Sequence, residues 1–148
     1  MYTLSRIAAN AYANIGLETG VVAASPHQLI VMLFEGAQLA VKMAAKHMAD
    51  DNIPAKSQAI SRAINIIDSG LQSSLDVKNG GEMAERLNAL YDYMCRRLLL
   101  ANLRNQNDIL EEVSRLLEEL HQAWKQIGNF PPQRNPNSNH QDTITIAA

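Results

Sequence analysis

The chain has 148 residues, enough for one domain with a core of its own. Thirteen lysines and arginines stand against 15 aspartates and glutamates, a net charge of −2, which argues against nucleic acid or a polybasic membrane contact as the main partner. The single cysteine, Cys95, excludes an internal disulfide and a cysteine-built zinc site.

Residues 1–24 are weakly patterned. Leu4, Ile7, Ala8, Ala11 and Ile15 suit one short amphipathic helix, which Gly16 and Gly20 would end. No continuous apolar run of the signal-peptide kind occurs there. The longest strongly apolar run, Leu29 to Phe34, is far shorter than the ~20 residues a membrane helix needs. The expectation is a soluble cytoplasmic protein without membrane insertion.

Residues 25–128 read as four helices. Ser25-Pro26 is a helix start, because serine caps orphan amides and proline fits the first helical position. The first helix is predicted over 26–49, ended by Asp50-Asp51-Asn52. The second runs over about 54–75, with Ile60, Ile64, Ile67, Leu71 and Leu75 on one stripe. Gly70 is an interior cost there and a candidate for close packing. Asn79-Gly80-Gly81 breaks the chain before a third helix over about 82–103, whose stripe is Met83, Leu87, Leu90, Met94 and Leu98. The fourth, about 108–127, carries Ile109, Val113, Leu116 or Leu117, Leu120, Trp124 and Ile127, and Gly128 ends it. Residues 129–148, with Pro131, Pro132, Pro136 and many amides, are expected to be a disordered tail. Long helices with short breaks make an all-α antiparallel four-helix bundle the economical fold.

That fold leaves a remainder. One apolar stripe suffices for a bundle helix. The first helix exceeds it: Ile30, Phe34, Val41 and Ala45 lie beside the main stripe, and Val31, Met32, Leu39 and Met43 extend the surface. Leu98, Leu99 and Leu100 are consecutive and cannot all face one core line. Either the first helix lies centrally in the bundle, or the excess forms a groove covered by a chain end or by a partner's amphipathic helix.

Motifs for catalysis are missing. There is no GxGxxG, P-loop or GxSxG, and Gly80-Gly81 reads as a turn. Cys95 reads as a structural thiol, although Arg96 and Arg97 beside it would favour a thiolate. Glu118 and His121 have the Glu-x-x-His spacing of di-iron bundles, but no second such pair exists, and both read as part of a solvated, ion-paired face. No cofactor is expected.

Several stretches, in order, resemble one family. They are Asn10-Ala11-Tyr12, Thr19-Gly20-Val21, Ser25-Pro26-His27-Gln28-Leu29-Ile30 and Met32-Leu33-Phe34-Glu35-Gly36-Ala37. Ser61-Arg62-Ala63-Ile64, Gly80-Gly81-Glu82, Leu90-Tyr91-Asp92-Tyr93-Met94, Arg96-Arg97-Leu98 and Ala101-Asn102 continue them. Over about residues 7–127 the chain resembles the flagellar secretion chaperones, cytoplasmic export chaperones dedicated to flagellin. The resemblance implies a four-helix bundle with a short N-terminal capping helix or segment (residues 1–24), and no enzymatic activity. It implies binding of the C-terminal segment of flagellin, which prevents premature polymerisation, and docking of the complex on the cytoplasmic domain of the export gate. Contact with an anti-sigma factor is a looser implication. On that reading Ile7 and Tyr12 seat the cap or the partner, and Leu33, Phe34, Ile60, Ile64, Ile67, Leu71, Tyr91, Met94 and Leu98 are the candidate groove. The rival readings are a carboxylate-bridged metal-binding bundle and a self-associating bundle that uses the groove to form a homodimer.

Overall fold

The computed structural model describes residues 25–128. The segments 1–24 and 129–148, which carry the capping segment with Ile7 and Tyr12 and the expected tail, lie outside the described residues.

Helix α1 spans Pro26–Ala49. Its start is a capping box: the Gln28 amide donates to Ser25 Oγ at 3.1 Å, and the Ser25 amide donates to Gln28 Oε1 at 2.9 Å. Helix α2 spans Ile53–Asn65, and its cap Asn52 accepts from the Ala55 amide. The chain then widens into a π-helical turn, Ile66–Leu71, and tightens into a 3-10 turn, Gln72–Ser74. The sequence pattern predicts one regular helix here. The hydroxyls of Ser73 and Ser74 donate to the carbonyls of Asp68 and Gly70, so side chains serve backbone groups that a regular ladder would otherwise use. Helix α3 spans Gly81–Arg104 and begins at a positive-φ glycine (Gly81, φ 64°). It ends at left-handed Asn105, and α4 spans Asn107–Gly128.

Connections of a few residues force neighbouring helices to run antiparallel. Helix α1 packs on α2 and α4, and α3 closes the square against the same two. The diagonal pairs have no Cα atoms within 8 Å of each other. The seams of α1 are closer than those of α3. Buried Ala37, Ala40 and Ala44 let the α1 backbone approach its neighbours, whereas α3 fills the interior with Tyr91, Met94 and Leu98. The bundle centre is bridged by rings: Phe34 on α1 and Tyr91 on α3 have centroids 6.5 Å apart. Among the described residues there is no strand.

Helix α1 is long and apolar enough, by composition alone, to cross a membrane, with a mean hydropathy of 1.3 over its most apolar 18 residues. In the bundle its Leu29, Ile30, Leu33, Phe34, Val41 and Met48 are buried instead, so much of the apolar excess belongs to a helix with neighbours on two sides. The excess is not wholly absorbed. Leu39, Met43, Leu99 and Leu103 remain exposed, Leu103 at 82%.

Candidate functional site

Four chain segments meet at one end of the bundle: the start of α1, the end of the α2 stretch, the start of α3 and the last turns of α4. Between them lies a recess of about 250 Å³. Ile30, Leu71, Leu75, Met83, Leu87, Tyr91 and Trp124 make its walls largely apolar, and Asp76 and Gly80 stand beside them. Met83 is 67% exposed, and Leu75, Leu87 and Trp124 are only partly buried. Apolar side chains left this open at a concave site are what a docking surface requires.

Local chemistry sets the walls. His27, in the first turn of α1, bonds the Trp124 carbonyl through Nε2 at 2.5 Å, and the two rings lie 5.6 Å apart. This staple fixes the indole beside Ile30. Gln72 donates to the Asn88 side chain at 2.9 Å, which ties the end of the α2 stretch to α3. The Asn79 side chain and amide both donate to the Asp76 carboxylate, which holds that carboxyl below its usual range. Gly80 follows because nothing larger fits: a Cβ there would meet the Asp76 carbonyl oxygen at 2.5 Å.

The predicted groove residues are placed mainly inside. Leu33, Phe34, Ile60, Ile67, Met94 and Leu98 have at most 1% of their surface exposed and build the core. Ile64 is partly buried, and its carbonyl lies 3.9 Å from Cys95 Sγ. Only Leu71 and Tyr91 both belong to the core and face the recess. The recess brings in Ile30, Leu75, Met83, Leu87 and Trp124, which the sequence reading placed on helical stripes without assigning them to a groove. A stripe gives the face of a helix but not the end of the bundle at which that face is left uncovered.

Other candidate chemistry is settled by geometry. Cys95 is half-buried, and desolvation, with Asp68 and Asp92 adding to it, pushes its thiol up to about 11. Arg96 is paired with Asp92 and Arg97 with Glu112 on α4, so neither activates it. Burial likewise pushes the Tyr91 phenol well above its ordinary range. The solvated face expected for His121 is a correction: only 7% of the residue is exposed. It follows Leu117 by one turn and continues the buried stripe of Leu110, Val113 and Leu117. Glu118 lies 3.6 Å from Nδ1 of its ring and Glu35 lies 3.5 Å from Nε2. Those nitrogens are on opposite sides of the ring, so the ring and both carboxylates cannot surround one ion. Among the described residues no group of three histidines, cysteines or acids is placed to hold a metal.

A bundle with an open apolar end fits the resemblance seen in the sequence, and direct comparison decides the family. Residues 8–130 match the family model described as Flagellar protein FliS. The chain belongs to this family. It is similar to the Flagellar secretion chaperone FliS of Salmonella typhimurium, 53% identical over 127 residues, which cover 86% of this chain and 93% of that one. The Escherichia coli protein of the same name is 47% identical over 116 residues, covering 78% and 85%. That of Bacillus subtilis is 31% identical over 109 residues, covering 74% and 80%. The family is one of flagellar secretion chaperones and not of enzymes, so a protein partner in flagellar export is the chemistry to look for in the recess.

Proposed function

We propose that the protein binds the C-terminal segment of flagellin in the cytoplasm, keeps it from polymerising early and delivers it to the cytoplasmic domain of the flagellar export gate. The observation that supports this is the recess walled by Leu75, Met83, Leu87 and Trp124, an open apolar site in a chain of the FliS family. An amphipathic helix can lay one apolar face there, with side chains at helical spacing entering the recess. Ordering a disordered partner segment costs about 2–5 kcal/mol, which tempers the affinity and leaves release possible without nucleotide. Residues 1–24, with Ile7 and Tyr12, have the complementary role of a cap over the recess that the partner displaces. Ser25, where α1 is capped, lies at the same end of the bundle. Contact with an anti-sigma factor would be a further use of the free chaperone.

The test is co-purification of the chain with flagellin and with flagellin lacking its C-terminal segment. A soluble complex with the intact protein alone is the expected result. Undiminished binding of the truncated flagellin would overturn the proposal. Hydrogen exchange of residues 1–24, with and without flagellin, tests the cap: faster exchange in the complex is expected, and unchanged protection counts against displacement.

A further inference from the structure

His121 presents a different problem on a different seam, that between α1 and α4. It is buried, its ring lies against Phe34 (centroids 6.3 Å apart, planes at 24°), and neither ring nitrogen has a hydrogen-bond partner. Nε2 faces Glu35 Oε2 on α1 at 3.5 Å, and Nδ1 faces Glu118 Oε1 on its own helix at 3.6 Å. Both separations lie just beyond the usual N–H to oxygen range. Gln38 of α1 donates to Glu118 at 3.0 Å and so holds that carboxylate across the seam.

A neutral imidazole has one N–H and one lone pair, and an ionised carboxylate only accepts. Between two carboxylates the neutral ring therefore satisfies one side and sets a lone pair against a negative oxygen on the other. The imidazolium donates to both. We propose that His121 is a proton-operated clamp on the α1–α4 seam: the protonated ring donates to Glu35 and Glu118 at once and draws the two helices together. The proton arrives from solvent through the open polar recess of about 640 Å³ that the same residues line. The charged side chains facing that recess are Glu35 and Lys42 from α1, and Arg115, Glu118 and Lys125 from α4; α2 and α3 contribute none. Among the described residues no lysine or arginine is within ion-pair distance of Glu35 or Glu118, so the ring is the cation placed to answer them. Both glutamate side chains are more than half exposed and can swing inward by the few tenths of an ångström required. Histidine is the side chain whose charge normally changes within the physiological range, so the clamp responds to ordinary acidification. It lies one turn before Trp124, and a tighter seam also steadies that wall of the apolar recess.

The test compares the unfolding equilibrium of the wild type with those of H121Q and E35Q, at about pH 8 and about pH 5.5. Taking ratios to the wild type at each pH removes acid effects common to all three. The wild type should gain about fivefold or more over H121Q on acidification, and E35Q should lose a large part of that gain. Ratios that do not change with pH would overturn the proposal. Should H121Q fail to fold, nitrogen NMR of the wild-type ring supplies the decision. Two protonated nitrogens at about pH 5.5 support the clamp, and a ring still singly protonated there overturns it.

Discussion

Lys56 on α2 donates a 3.0 Å hydrogen bond to the Asn105 side chain, at the left-handed residue that ends α3. The same ammonium donates to the Asn102 carbonyl at 3.0 Å. It is 3% exposed and acts where the last carbonyls of a helix carry partial negative charge. Lys56→Met keeps the stem and deletes both donors, leaving a buried carbonyl unpaired. The expected loss is about 1–3 kcal/mol, read from the urea midpoint of unfolding, and an unchanged midpoint would rule out the cap.

Gly70 sits in the π turn where α1 comes closest. A Cβ placed there would lie 2.8 Å from Leu33 Cδ2, and Leu33 is fully buried with little room to move. Gly70→Ala should therefore destabilise by about 1–3 kcal/mol, against the usual gain from replacing a helical glycine. Pairing it with Leu33→Ala should recover part of the loss relative to the sum of the two single changes, since the clash is between those two side chains.

Glu112 joins α3 to α4. The Tyr93 hydroxyl donates to it at 2.5 Å and Arg97 Nε at 2.8 Å, and these bonds hold its carboxyl below the usual range, Tyr93 first. A depressed carboxylate contributes stability above its ordinary titration range and loses it as the pH falls through the lowered value. Glu112→Gln should lower the thermal midpoint by a few degrees near neutrality, with the difference from wild type shrinking on acidification. The bond to Glu112 also raises the Tyr93 phenol, so the variant should ionise Tyr93 at lower pH, followed by phenolate absorbance.

Core and recess separate by substitution. Leu98→Ala, at a fully buried position, should cost about 2–5 kcal/mol of stability. Met83→Glu, at a residue 67% exposed, should leave the midpoint nearly unchanged yet weaken flagellin binding about tenfold or more, because a charge must then be buried on docking. Titration calorimetry with the flagellin C-terminal segment checks it. Equal binding by Met83→Glu would remove the recess from the partner site.

Four helices in an all-α bundle were legible because their punctuation is local. Ser25-Pro26, Asn52 and the glycine pair Gly80-Gly81 act within a turn of themselves. The candidate site was legible only in part. The stripe holding Leu33, Phe34 and Leu98 is visible in the periodicity, but whether a stripe ends in the interior or at an open end depends on which helices surround it. His121 was misread because its neighbours Glu118 and Glu119 are charged, while its burial is set by Leu117 one turn back and Phe34 across the seam. The π turn had no cue in residue type, since Ile66 to Leu71 lacks proline and suits an ordinary helix apart from Gly70.

That wide turn holds one residue more than a regular turn would. Dropping a residue from Ile66–Leu71 would return it to α geometry and rotate all that follows by about 100° about the helix axis. Leu75 would swing away from Met83 and Trp124, while Ile60 and Ala63 upstream kept their places. The spot thus works as a dial on the mouth of the bundle, by which a one-residue insertion or deletion can retune what the chaperone accepts without repacking its interior.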